Sequence, residues 1–513
     1  MKPAVITQWS IQMGSKIANA VKSIVETLSL RDLIILIIGI MALLNGSYFF
    51  SVILFNVFIL IILEKRGILE RWNATKVLGF ILMVRTNRGQ GVLEKISQPR
   101  RFWRMFGEFS LWICVCVVFL TSLLLILTAV STFTTPEVEA MQTSDVLLIP
   151  GVSQGIPLFW PLVSLIIALV IHEYGHGIQM RAHGMRVRSF GLLIASLIPI
   201  GAFAEPETKE VMKAPKRERM RIYAAGPAVN LVMAAFLTFV LAVGISGVDP
   251  AIQGAYSPAI VVNGPANEAG LQPYDIIVGV NETTISNADD LRLIVDSSKA
   301  NDVLQFHIRP YNDGKWIEEE TIEITLGDKF EHYLSNNFSE ENLAMAGIEP
   351  GDAFIGVTTD SYGGNPIRST DEGRYQLMGP FYPGLSSEMR LFKSLAHPIN
   401  LLVTPFTFDG ELMTEEEEKM LVWTNLEKHF VDAIFWLFWI NFLLGFANLI
   451  PVVPFDGGHI MRDSILVIIT WASNKLGIFH PQRAKIFANK TANFTSLLFI
   501  GIFMIPILFR LLI

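Results

Sequence analysis

The sequence predicts a multi-pass α-helical membrane protein with a re-entrant region and an inserted extracytoplasmic domain, and three observations predict it. Hydrophobic residues make up 51% of the 513 positions and charged residues only 17%, which lies outside the range of soluble domains. The apolar runs Leu33–Leu63, Leu111–Val130 and Ile222–Ile245 each reach the roughly 20 residues that a bilayer crossing needs. A long stretch of soluble character then separates Ile245 from the next apolar run at Ala433. The net charge of −7 comes with basic residues scattered in loops beside apolar segments, so the lipid bilayer is the implied partner and nucleic acid is not.

Taken in order, Met1–Ser29 is amphipathic and precedes an apolar run too long for a signal-peptide core, so no cleavable signal is expected. Asn45, Gly46 and Ser47 interrupt Leu33–Leu63, which is one tilted span or a tight hairpin. The basic stretch Glu64–Arg104 belongs in the cytoplasm by the positive-inside rule. The loop Ser131–Ile156 holds Glu137, Glu139 and Asp145 but no Lys or Arg, and belongs outside. The chain re-enters at Pro157 and runs apolar to Ile171, with Arg181, Arg186 and Arg188 just beyond. Phe190–Ala204 is apolar between two basic loops, so a re-entrant hairpin fits the charge pattern better than a crossing. Ile222–Ile245 crosses outward and Ala433–Leu449 returns. Beyond Asp456 lie a weak apolar stretch, Ile465–Trp471, and a stronger one, Phe494–Ile513. Cys114 and Cys116 sit inside an apolar helix, facing lipid or core rather than forming a disulfide.

Within the insert, Val303–Leu326 alternates like two strands around a turn at Asn312, Asp313 and Gly314. Thr414 and Glu417 have the spacing of a capping box that would open a helix leading into the membrane, with the run Glu415–Glu418 as its solvated start.

The residues with chemistry are at the cytoplasmic ends of two membrane segments. His172, Glu173 and His176 form His-Glu-Tyr-Gly-His, and on a helix a spacing of four brings both imidazoles to one face, able to share a metal ion. A packed histidine pair is the plain alternative. Ionisable groups in an apolar segment are costly, however, by about 2.5 kcal/mol or more for a charge at mid-membrane. Catalytic zinc takes a third protein ligand and keeps an open position. Counting crossings brings Asn448-Leu-Ile-Pro-Val-Val-Pro-Phe-Asp456-Gly-Gly to the same membrane level, so Asp456 is the candidate third ligand; a cap before a glycine turn is its other reading. Asn448 is either a polar brace between helices or a group that orients a substrate backbone. His459 is read as an interfacial histidine.

Together, the membrane-embedded His-Glu-x-x-His, Gly226-Pro-Ala-Val-Asn230 and Asn-x-x-Pro-x-x-Pro-x-Asp-Gly resemble the site-2 protease family of intramembrane zinc metalloproteases over most of Leu111–Ile460. The resemblance implies Zn2+ held by His172, His176 and Asp456, Glu173 as general base, and Asn448 as a substrate contact. It implies that Phe190–Ala204 is a membrane-associated strand region that receives an unwound substrate as an added strand. Single-span membrane proteins are the implied substrates, cut by regulated intramembrane proteolysis. Separately, Ala269-Gly-Leu-Gln-Pro-Tyr-Asp-Ile-Ile-Val-Gly-Val-Asn281 is similar to a PDZ domain, an α+β module expected to bind an extracytoplasmic peptide, although Tyr274 stands where many relatives have glycine. The expected organisation is 1–110 as an N-terminal region, 111–250 as a membrane core, 251–360 as the PDZ-like domain, 361–432 as an extracytoplasmic connector, and 433–513 as the second part of the membrane core. The competing class is a zinc-binding scaffold or transporter with a PDZ module; Glu173 argues against it, because a structural site needs no base.

Overall fold

The computed structural model describes the chain apart from residues 1–27, 78–80, 87–88, 135–147, 149, 152, 154, 196–197, 359–365, 478–480 and 513. The amphipathic N-terminus and most of the Ser131–Ile156 loop therefore lie outside the described residues. Two compact units emerge: one of residues 1–147, 158–234 and 437–513, the other of 148–157 and 235–436.

In the first unit, Leu33–Leu63 is a tight hairpin. Helix α1 (Leu30–Leu44) and helix α2 (Tyr48–Lys65) meet at Asn45–Ser47, where Gly46 takes a positive φ of 76°. At 15 residues, α1 is only about 22 Å long, too short for a straight crossing. Ser51 Oγ donates to the Gly39 carbonyl at 3.0 Å, and Asp32 pairs with Lys65 across the open end. The basic stretch that follows contains strands that its charge concealed. Strands β1 (Ala74–Val77) and β2 (Ile81–Thr86) join β3 (Val187–Ala195) and β4 (Ile198–Pro206) in an antiparallel sheet of order β1-β2-β3-β4. The apolar Phe190–Ala204 segment is thus a hairpin, with Phe190 opposite Ala204. Its outer strand β4 is an edge, where Pro199 and Pro206 are tolerated because one side of the backbone is unpaired.

Five helices among the described residues are long and apolar enough to cross a membrane. They are α3 (Arg100–Thr134), α4 (Phe159–Ala182), α5 (Lys216–Ile245), a helix over Asn425–Ala447, and the Ile486–Phe509 part of the last helix. Lipid supplies no hydrophobic force between helices, so close backbone approach does the packing. A Cβ at Gly175 of α4 would stand 2.8 Å from the Ala225 carbonyl oxygen of α5. Cys114 of α3 is buried and its thiol donates to the Ala224 carbonyl, whereas Cys116 is exposed.

The second unit holds a six-stranded antiparallel sheet. Strands β5 (Ala255–Tyr256), β6 (Ile276–Val280), β7 (Val303–Arg309), β8 (Glu320–Thr325) and β9 (Arg368–Ser369) take the order β8-β7-β6-β5-β9, with Thr283–Thr284 pairing β6. Alternation along β7 buries Leu304, Phe306 and Ile308 against helix α6 (Ala288–Ser297), which buries Leu291 and Val295. The expected turn is present: Asp313 and Gly314 both have positive φ between the paired strands Tyr311–Asn312 and Lys315–Trp316, as a type I′ hairpin turn requires. Tyr274 also takes a positive φ, 67°, a conformation that glycine adopts at no cost. Its ring stacks on Tyr256, and its carbonyl accepts from Trp316 Nε1 at 3.0 Å.

The Thr414–Glu417 capping box is formed, but it opens only the short helix Glu415–Met420, which ends in the strand Leu421–Val422 instead of leading into the membrane, and its Glu417 is not solvated. Glu417 is buried, accepting from Tyr256 Oη at 2.7 Å and from Arg368 at 3.1 Å. Helix α7 (Ser387–Thr407) precedes it, and Asp249–Pro250 pairs with Leu421–Val422 to close the neck of this unit. Helix α8 (Asn425–Ala447) then begins the return. It leads to α9 (Asp456–Leu476) and α10 (Pro481–Leu512).

Candidate metal centre

Helix α4 carries His172 and His176 one turn apart, 4% and 7% exposed. Asp456 arrives from elsewhere. After α8 the chain turns through Asn448–Phe455, and Asp456 is the first residue of α9. The cap position is held by Phe455, which makes no side-chain cap, so Asp456 is not the cap residue of α9. Two glycines permit the turn to pack this tightly: a Cβ on Gly457 would run into the Leu449 backbone, and one on Gly458 into Val452 and Val453. The Gly457 N–H donates to the Asn448 carbonyl at 2.7 Å, and Thr121 Oγ1 of α3 donates to the Leu449 carbonyl at 3.2 Å.

The result is a triangle of donor atoms. His172 Nε2 and His176 Nε2 lie 3.2 Å apart, and each is 3.3 Å from Asp456 Oδ2. Ligand atoms bonded to a tetrahedral zinc at about 2.0–2.1 Å stand about 3.3 Å from one another, so two imidazoles and one carboxylate at these separations fit a zinc ion. The tautomer fits as well. His176 Nδ1 is 2.7 Å from the Ile222 carbonyl and must donate to it, which leaves the Nε2 lone pair free for a metal. His172 Nδ1 is buried and has no hydrogen-bond partner among the described residues.

Glu173 stands within 4.8 Å of the two histidines as a third chelating group. Its Oε2, however, accepts from the Ala204 N–H of edge strand β4 at 2.6 Å, while Asp456 completes the near-equilateral set. The geometry therefore separates a ligand-like carboxylate from one held to the side. Glu173, Tyr223, Ala204 and Asp456 line one cavity of about 300 Å³.

Further residues complete the surroundings of the site, some of them legible in the sequence and some not. A Cβ on Gly226 would collide with His176 and approach His172 Nε2 to 2.8 Å, so the glycine of Gly-Pro-Ala-Val-Asn makes room for the imidazoles. Asp463, fully buried, forms two hydrogen bonds with Arg219 at 2.8 and 3.0 Å and ties α9 to α5 two turns beyond Asp456. His459 stacks on Tyr223 with ring centroids 4.7 Å apart. The Asn448 amide donates to the Leu444 carbonyl of its own helix at 2.9 Å. Gly226 had a signal, its place in a motif; the Arg219–Asp463 pair had none, because their separation in sequence hides the contact.

Residues 160–479 match the model of peptidase family M50. The chain belongs to peptidase family M50. Similar relatives include the uncharacterized protein MJ0971 of Methanocaldococcus jannaschii, 24% identical over 74% of this chain and 77% of that one. The zinc metalloprotease Rip1 of Mycolicibacterium smegmatis is 25% identical over 60% and 84% of the two chains. The regulator of sigma-E protease RseP of Escherichia coli is 26% identical over 49% and 64%. The M50 chain described here is an integral-membrane zinc metalloendopeptidase that acts on membrane proteins within the bilayer, in regulated intramembrane proteolysis.

Proposed function

We propose that His172, His176 and Asp456 hold the zinc, that Glu173 is the general base, and that cleavage takes place at the cytoplasmic side of the bilayer. The observation that carries this is the triangle of donor atoms, with a second carboxylate beside it but outside it. Zinc held by these residues would supply a Lewis acid and would lower the pKa of a water bound to it to about 7. Glu173 takes the proton of the attacking water and passes it to the leaving amine, and its bond to Ala204 N–H fixes the carboxylate for that transfer. His176 keeps its reactive tautomer through the Ile222 carbonyl.

Substrates would be single-span membrane proteins. A helical peptide bond has its backbone groups occupied and must unwind before attack. The open edge of β4, a re-entrant strand in this reading, lies next to Glu173 and offers a pairing partner for an extended segment. Asn448 would orient that segment.

The PDZ-like 251–360 domain, with its 361–432 connector, would stand outside the cytoplasm and screen substrates, binding peptide there. The paired neck of Asp249–Pro250 with Leu421–Val422 supports treating what lies between as one insert.

The test is cleavage of a reconstituted single-span substrate by the wild-type chain and by Glu173→Gln with matched zinc content; equal cleavage would overturn the assignment of the base. Cysteine labelling from outside intact cells should reach Asn281 but not Lys213, and labelling at Lys213 would overturn the orientation.

A further inference from the structure

Helix α7 shows its apolar side to the surroundings. Phe392, Leu395, Ile399, Val403 and Phe406 follow one another at helical spacings of three and four, and each is at least 50% exposed. The opposite side, His397, Leu401 and Pro405, is buried. A stripe of this kind on a membrane protein suits the bilayer interface. Both ends of α7 are tied to the places where spans begin and end. Phe381, just before α7, packs edge-to-face on Phe239, less than two turns inside the end of the apolar helix α5. At the other end the Pro405 carbonyl closes on Gly155, where a Cβ would collide with it, just ahead of the start of α4.

On one flank of that stripe is a cavity of about 610 Å³. Its lining is mixed. Met389, Phe392 and Val403 lie toward the exposed stripe, and Glu372, Lys393 and His397 supply polar groups. His397 is 3% exposed, and its Nε2 has no hydrogen-bond partner among the described residues. Its ring lies against Gly379, whose positive φ and missing Cβ make the space. The Lys393 ammonium sits 3.4 Å from the centroid of the Tyr375 ring. A buried nitrogen without a partner, next to an ammonium in a cavity that borders an interfacial stripe, calls for an anionic acceptor carried by an amphiphile.

We propose that this cavity binds one membrane phospholipid, with acyl carbons against Met389, Phe392 and Val403 and the headgroup phosphate held by Lys393 Nζ and the His397 ring. Glu372 on the same wall balances Lys393, so a zwitterionic headgroup fits better than one with net negative charge. The role is separate from peptide hydrolysis and does not depend on which residues hold the zinc.

The test counts phospholipid on the full chain. Native mass spectrometry after exchange into lipid-free detergent should find one phospholipid retained per chain. Back-titration should then favour phosphatidylethanolamine over phosphatidylglycerol. Loss of a charge-assisted hydrogen bond in Lys393→Met or His397→Phe should weaken binding about tenfold or more, while Lys393→Arg and the stripe variant Leu395→Ser retain it. Zinc content and melting temperature report whether each variant is folded. If Lys393→Met does not fold, the contrast between His397→Phe and Lys393→Arg decides. No retained lipid in the wild type, equal retention in all variants, or occupation of the site by inorganic phosphate alone would overturn the proposal.

Discussion

Two carboxylates, one in each compact unit, have opposite surroundings: Glu417 is buried and Asp456 is half-buried. Glu417 accepts from the Tyr256 hydroxyl, from the Arg368 guanidinium and from the Thr414 backbone N–H; its charge is answered by a permanent cation. Asp456 faces His172 and His176, and His176 already donates its other ring nitrogen to the Ile222 carbonyl. Three lone-pair donors turned toward one point repel one another unless a cation joins them. A carboxylate supplied with its own cation belongs to the scaffold, whereas one that waits for a cation marks a site.

The largest effect is expected at the chemistry. Glu173→Gln should lower turnover by about 10²–10⁴-fold while zinc content stays at the wild-type level, because both imidazoles and Asp456 remain. Metal analysis and a cleavage assay on the same preparation check both halves. Asp456→Ala should lose metal and activity together; a variant that keeps stoichiometric zinc would show that another group completes the set.

Glu417→Ala sharpens the other side. It strands Arg368 in the interior and should destabilise the insert by about 3–5 kcal/mol, seen as faster amide exchange in β5 and β6, with zinc content unchanged. Loss of zinc in that variant would mean that the two carboxylates are not independent.

A smaller effect comes from His397, whose pKa burial lowers to about 4, with the charge of Lys393 adding to the shift. The folded state favours the neutral ring, so this contribution is complete above the unfolded value of about 6.5 and is lost as pH falls toward 4. It amounts to at most about 3 kcal/mol. Replacing His397 with Phe should remove that part of the pH dependence of melting, and an unchanged profile would contradict it. Smallest is Tyr274→Gly. Relief of the left-handed backbone is worth about 1 kcal/mol, and loss of the stacked ring outweighs it, so thermal melting should show a net loss of stability. A gain would show that the stack on Tyr256 contributes less than the strain.

Local pattern and composition determined a good deal of this protease by themselves. Apolar length set the spanning helices over Leu111–Val130, Ile222–Ile245 and Ala433–Leu449, because a bilayer fixes the length that its solvent demands. The i, i+4 spacing put His172 and His176 on one face, because helix geometry leaves them no other place. The turn at Asp313 and Gly314 was legible for the same reason. The tertiary structure decided what depends on distant segments meeting. Asp456 reaches the imidazoles through a turn whose two glycines take it against the Leu449 and Val452 backbone, and Gly226 leaves the space that the rings fill. Strand β2 was hidden in a basic stretch because its partner β3 lies a hundred residues away, and pairing across that distance leaves no mark on local periodicity; β1 joins the sheet through β2. Glu417 read as solvated because a capping box describes only the backbone it caps. Its burial is set by Arg368 and Tyr256, which no spacing connects to it.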